Sequence, residues 1–212
     1  MQSQREQDLS GRQRILREAM RLFADRGFAG TSLQSIADAA GMAKPSLLHH
    51  FSSKDALRRE VIDELLSGWK EVLPRVLFAA ATGKDRFEAV IGEALRFFGS
   101  DPTRSRMLLR EALDRPAELS ERLAEHVQPW LGLISDFIEK GQQTGRIHPD
   151  LDAKAWLTEM VLLSTAHFAV SPVTEMVADG SQERWDRRRM AEFRRIAERS
   201  LYRARPAQHE EA

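Results

Sequence analysis

The chain is 212 residues long and carries 32 Lys+Arg against 32 Asp+Glu, with no cysteine. That length allows a sizeable core in one or two domains. The missing thiols exclude disulfides, thiolate metal sites and cysteine nucleophiles, as expected of a cytoplasmic protein. No apolar run reaches the roughly 18 residues of a membrane span. The polar opening MQSQREQDLS also lacks the apolar stretch of a secretory signal, so no membrane association is expected. Balanced charge argues against an indiscriminate polyanion binder. Residues 1–60 nevertheless hold 10 Lys+Arg against 7 Asp+Glu, while residues 61–212 hold 22 against 25. The small basic excess marks the N-terminal end as the one suited to an anionic partner.

The first predicted helix covers about 11–26. Ile15, Ala19, Leu22 and Phe23 share one face, and Gly27 serves as the C-cap. Arg14, Arg17 and Arg21 line another face, either as a solvated surface or as steering charges. Residues 31–55, TSLQSIADAAGMAKPSLLHHFSSKD, then read as two short helices joined by a glycine turn. Thr31 or Ser32 caps the first, with Gln34 three after Thr31 as a capping box requires. Leu33, Ile36, Ala37 and Ala40 fall on one apolar face, and Gly41 ends the helix in the left-handed conformation. The second helix carries Pro45 in its first turn and is anchored by Leu47 and Phe51, which leaves Lys44, Ser46, His49 and His50 facing outward. A short helix with so polar an outer face, pinned by the helix before it, is a helix-turn-helix, and its natural target is the DNA major groove. A long helix opens at Ser53, with Asp55 in its first turn, and runs through Leu57, Val61, Ile62, Leu65, Leu66 and Trp69 toward Pro74.

The run GFAGTSLQSIADAAGMAKPSLLHHFSSKDAL resembles the N-terminal domain of TetR-type bacterial transcriptional regulators. The likeness covers about residues 10–58 and runs in register without a gap. It shows in the Thr-Ser pair, the Ile-Ala and Ala-Gly steps, the short helix ending in His-Phe, and the Ser-Lys-acid start of the long helix. Two positions depart from the family pattern: Leu48 stands where a DNA-touching tyrosine is usual, and Ala43 where a serine commonly caps the recognition helix. The resemblance implies a DNA-binding domain over 1–55 and a larger helical ligand-binding and dimerisation domain over 56–212. Lys44 and Ser46, with Pro45 between them, are the residues expected at base edges or nearby phosphates, and His49 is the next outward position. Thr31, Ser32, Gln34, His50 and Lys54 are expected to hold phosphates. Leu48 either meets a thymine methyl or packs within the helix.

Beyond residue 80 the helical pattern never gives way to strands. Helices are expected at about 85–99, at 103–114 (stopped by Pro116), and at 118–141 with a bend at Pro129. GQQTGRIHPDLD is a connector and SPVTEMVADGSQ a loop. The eighth helix, about 153–170, is apolar nearly all round, and the ninth, about 183–204, has a narrow stripe of Met190, Phe193, Ile196 and Ala197. The class is therefore all-α, with about nine helices. Either these two stripes are monomer core, or the eighth and ninth helices form a homodimer bundle, as the resemblance implies. A dimer reads both halves of an inverted repeat.

No phosphate loop, dinucleotide loop, zinc-protease or nucleophile-elbow signature is present, so no enzyme is expected. The adjacent His49 and His50 cannot act as a ligand pair, and nothing in the spacing of His126, His167, Glu159 and Asp136 requires a metal, so no cofactor is implied. Large side chains crowd the C-terminal half. Trp69, Phe98, Met107, Trp130 and Met160 are candidates to line an effector cavity, with Arg110, His126 and His167 as its polar groups. The expected effector is a small apolar or aromatic molecule, anionic if Arg106 and Arg110 face it, that releases a repressor from its operator. The alternatives are a DNA-binding regulator without a small-molecule inducer and a helical scaffold or enzyme.

Overall fold

Helix α1 (Gly11–Arg26) turns Ile15, Leu16, Ala19, Leu22, Phe23 and Ala24 inward. It stops where Gly27 adopts φ +73°, its N–H donating to the Phe23 carbonyl at 2.9 Å. Only a residue without Cβ enters that conformation cheaply. The computed structural model describes residues 11–79, 83–126, 128–174 and 181–203; the side chains of residues 69–86, 129, 130, 172 and 182 also lie outside the description. Its elements continue as α2 (Leu33–Ala39), α3 (Lys44–His50), α4 (Lys54–Ala79), α5 (Gly83–Gly99), α6 (Pro102–Asp114), α7 (Pro116–His126), α8 (Gln128–Gln143), α9 (Ala153–Ala169), the single turn α10 (Ser171–Thr174) and α11 (Gln182–Leu201). The described residues form no strand, only an isolated antiparallel bridge between Ile147 and Tyr202.

Three local expectations are corrected. The cap of α2 is Ser32, in extended backbone (φ −106°, ψ 154°), and its box partner is Ser35 rather than Gln34. Ser35 N–H donates to Ser32 Oγ at 3.0 Å, and Ser32 N–H donates to Ser35 Oγ at 3.1 Å. Thr31 sits one residue too early to cap. It is buried, with its hydroxyl 2.8 Å from the Gly27 carbonyl. The helix expected over 118–141 is two helices, α7 and α8, with Pro129 in the first turn of α8, where a missing N–H breaks no bond. Residues 171–174, expected in a loop, make one helical turn.

Two apolar clusters organise the chain. The first joins α1, α2 and α3 to the front of α4 (Leu57, Val61, Ile62, Leu65, Leu66), and continues into Met107 of α6 and Leu119 of α7. The second is built from Phe87, Ile91, Leu95 and Phe98 of α5, Ile138 of α8, Trp156, Leu157, Met160 and Phe168 of α9, and Phe193, Ala197 and Leu201 of α11. Leu108 of α6 packs against both. Helix α9 is covered on one side only: Val161, Leu162 and Leu163 remain 53%, 55% and 46% exposed, and Ile196 of α11 is 50% exposed.

Candidate functional site

The candidate recognition element is α3. Of its seven residues only Leu47 is buried; Phe51, just past its end, is buried too. These two anchors hold a helix too short to be stable by itself. Lys44, Pro45, Ser46, Leu48, His49 and His50 all face solvent. Ala43 is the N-cap and supplies no side-chain bond. On α2, Ser32 and Gln34 are exposed; Gln34 Nε2 donates to Asp38 Oδ1 at 2.8 Å, one turn further on. Gly41, at φ +67°, makes the turn between the two helices.

Two members of the expected phosphate set behave differently. Thr31 is turned into the core, as described above. Lys54 does not project outward. Its Nζ donates to the carbonyls of Phe28 and Thr31, both at 2.8 Å, and lies 4.1 Å from the centroid of the Phe28 ring. It braces the loop between α1 and α2. Arg17 and Arg21 both pair with Glu18, as a solvated surface would have it.

Behind this head lies a charged junction that the sequence reading did not single out. Arg58 of α4, only 2% exposed, donates to Glu111 of α6 and to Glu118 of α7. Arg115 bonds Glu118 at 3.0 Å and lies 3.4 Å from Asp55. The Arg115 guanidinium also stands 4.6 Å from the Phe28 ring that Lys54 covers. Burial holds the Glu111 carboxyl above the usual carboxylate range, although the Arg58 charge opposes it. Glu118 is held low, first by its bond from Arg115. A signal was present: Arg58, Val61, Ile62 and Leu65 fall on one helical stripe, and an arginine on an otherwise apolar stripe calls for a buried partner. Helix α6 grips α1 as well, since Arg110 Nε donates to the Ala24 carbonyl at 2.6 Å and Arg106 lies 3.3 Å from Asp25.

A cavity of about 160 Å³ opens between α4, α5, α6, α7, α8, α9 and α11. Leu66, Phe98, Leu108, Phe137, Trp156 and Met160 are among its walls, and Ser164 contributes the single hydroxyl among the described lining residues. Phe98 and Met160, two of the candidates, stand in its walls. Met107 is instead packed in the first cluster. Arg110 and Arg106 are committed to α1. His126 Nε2 faces Asp63 at 3.4 Å. His167 lines a separate depression with Trp185, Arg188 and Arg189 on the α9–α11 side. Trp69 and Trp130 have side chains outside the description. Helical phase explains these misses, because it tells which face is apolar but not which of several apolar faces meets a void. Among the described residues, no three His, Asp or Glu side chains stand close enough to hold a metal, and no helix is long and apolar enough to cross a membrane.

An exposed recognition helix carried on a helical body with an interior cavity defines the class of DNA-binding transcription regulators. Residues 15–61 match the tetR family of bacterial regulatory proteins, and residues 107–180 match the tetracyclin repressor-like C-terminal domain. The chain belongs to the tetR family, whose members are DNA-binding regulators and not enzymes. Solved structures share the fold. A tetR-family transcription regulator from Shewanella sp. PV-4 is 21% identical with a TM-score of 0.67, covering 92% of this chain and 100% of that one. The ketosteroid transcriptional regulator KstR2 of Mycobacterium tuberculosis is 19% identical, with a TM-score of 0.68 and coverage of 92% and 96%. FadR from Bacillus subtilis, crystallised with stearoyl-CoA, is 17% identical, with a TM-score of 0.64 and coverage of 89% and 98%.

Proposed function

We propose that the chain is a cytoplasmic, homodimeric repressor that leaves an inverted-repeat operator when a small apolar or aromatic molecule fills the cavity. One observation carries this reading: Leu66 of α4 and Leu108 of α6 wall the cavity, and the same two helices hold the DNA-binding head through Arg58–Glu111 and Arg110. A molecule that separates Leu66 from Leu108 moves α4 and α6 together with the loops they grip. The spacing of the two recognition helices changes as a result. The ligand shifts the equilibrium only as far as it prefers the DNA-incompetent state, and DNA must weaken the ligand by the same factor. The Bacillus subtilis protein of this fold, crystallised with stearoyl-CoA, shows only that the fold can accompany a small-molecule ligand bearing an apolar chain.

In this reading residues 1–55 form the DNA-binding unit and 56–212 the effector and dimer unit. Lys44, Pro45, Ser46, Leu48 and His49 meet the groove, and Ser32, Gln34 and His50 meet phosphates. Thr31 and Lys54 act indirectly, by holding the loop that carries α2. The half-exposed Val161, Leu162, Leu163 and Ile196 are the surface that a second copy covers. Footprinting on operator DNA tests the assembly. Two protected half-sites centred about 34–36 Å apart, or a multiple of that, are expected. A single asymmetric site overturns the dimeric reading. A ligand screen by thermal shift followed by DNA competition tests the coupling, and stabilising ligands that leave DNA affinity unchanged overturn it.

A further inference from the structure

We infer that the cavity selects an uncharged single-ring molecule and that Ser164 reads one hydroxyl on it as a hydrogen-bond acceptor. This rests on the reading of the cavity as the effector site. Size comes first: a cavity of about 150 Å³ lined by Leu, Ile and Phe is large enough for benzene, and this one is about 160 Å³. Charge follows from the walls. None of the described lining residues is ionisable, and the arginines nearest in sequence, Arg106 and Arg110, are committed to Asp25 and the Ala24 carbonyl. A carboxylate placed here would leave water and meet no counter-charge among the described lining residues, which is the most costly way to bury an ion.

Polarity has two possible sources in the walls, and one is already used. Trp156 Nε1 donates to Ser200 Oγ at 2.9 Å, outside the void. Ser164, 3% exposed, donates its own hydroxyl proton to the Val161 carbonyl at 3.0 Å. Its oxygen keeps lone pairs for one incoming donor. A pure hydrocarbon thus leaves no polar group stranded, and a ligand O–H finds an acceptor. A ligand that only accepts competes with Val161 for the same proton.

The test uses three probes of one skeleton, p-xylene, p-cresol and 4-methylbenzoate, titrated calorimetrically into the full chain at neutral pH. Both neutral probes should bind, and 4-methylbenzoate should bind at least roughly a hundredfold more weakly than p-cresol. In Ser164→Ala, p-cresol should lose on the order of tenfold because its hydroxyl is left without a partner, and p-xylene should change less than twofold. Ala94→Phe, which fills the void from another wall, should abolish binding of both neutral probes. Benzoate binding as tight as that of p-cresol overturns the inference. So does an unchanged p-cresol to p-xylene ratio in Ser164→Ala, probe binding that survives Ala94→Phe, or no binding of either neutral probe. DNA release is scored separately. Neutral probes that bind in this order without releasing operator DNA support the specificity and remove the regulatory reading. A benzoate that binds and releases DNA does the reverse.

Discussion

Arg58 on α4 donates to the carboxylate of Glu111 on α6 with both side chains out of water, 2% and 6% exposed. The pair joins the helix that leads out of the DNA-binding head to the helix that grips α1. Two buried charges gain from each other only because both are already desolvated, so removing one strands the other. Arg58→Leu alone should cost about 3–5 kcal/mol, because Glu111 loses its principal cation. The double change Arg58→Leu with Glu111→Leu should recover most of that loss. Urea unfolding of the parent protein and the two variants decides it, and a double variant no better than the single would show that the junction is not held by this pair.

The same pair fixes a pH response. Burial holds the folded-state Glu111 carboxyl above its ordinary 4.5. Between 4.5 and the raised value the folded chain keeps a proton that the unfolded chain has lost, so stability falls as pH rises through that window. Glu118 is shifted the other way, and its contribution is lost as pH falls below 4.5 through its lowered value. Glu111→Gln should therefore flatten the decline above 4.5 and leave the acid limb in place. Thermal unfolding across the acid range reads both limbs. A decline above 4.5 that persists in the variant assigns it to another group.

Lys54 and Lys44 should part company on DNA. Lys44 faces solvent on α3, whereas Lys54 is bound to Phe28 and Thr31. Lys54→Ala should lower stability and weaken operator and random DNA alike, with little change in salt slope, because its ammonium neutralises no phosphate. Lys44→Ala should either reduce the salt slope by about one or, if it reads a base, cost about 1–3 kcal/mol per half-site on the operator alone. Titrations on both DNAs at several salt concentrations separate the cases. A reduced slope for Lys54→Ala returns that lysine to the phosphate set.

Local chemistry made the head legible. Leu47 and Phe51 anchor α3 because their spacing is helical, and Gly27 and Gly41 end helices because they alone enter positive φ freely. Ser32 was one of the two caps the sequence offered, but the capping box was placed one residue early, on Thr31 and Gln34, because either hydroxyl can cap on paper. Only the folded chain shows that Thr31 is buried, with its hydroxyl donating to the Leu22 and Gly27 carbonyls. The C-terminal half was legible as helices but not as a site. Met107 and Met160 look alike in the sequence, and tertiary packing alone sends one into the first core and the other to the cavity wall. His126 and Arg110 looked like pocket groups because their partners, Asp63 and the Ala24 carbonyl, lie tens of residues away.

Leu162 offers the plainest test of the dimer. It is 55% exposed on α9, flanked by Val161 and by Leu163, which lines one depression with Ile196 of α11. A charge there meets water in the monomer and apolar surface in the bundle. Leu162→Glu should leave the helical content of the monomer unchanged and shift the protein to monomers in sedimentation. Affinity for the inverted repeat should fall steeply, while a single half-site is little affected. A variant that stays dimeric places the interface elsewhere.

His167 links the same face to pH. Its ring packs edge-on to Phe168 and Phe193, with centroids 4.8 and 6.2 Å away. Burial, followed by the charge of Arg189, lowers its pKa below 6.5, against the weaker pull of Asp186. A histidine kept neutral by its surroundings contributes stability that is complete above 6.5. That contribution is lost as pH falls from 6.5 through the lowered folded-state value, because the unfolded chain takes up the proton first. Arg188 and Glu192 line the same depression, and in the proposed dimer a second copy over this face would deepen the desolvation. Stability, and with it the proposed dimer, should weaken as pH falls below 6.5 through the lowered folded-state value. His167→Gln, which keeps the size and removes the titration, should hold a flatter profile there. Sedimentation and thermal unfolding on both proteins provide the comparison, and parallel profiles for the two would assign the acid sensitivity to other groups.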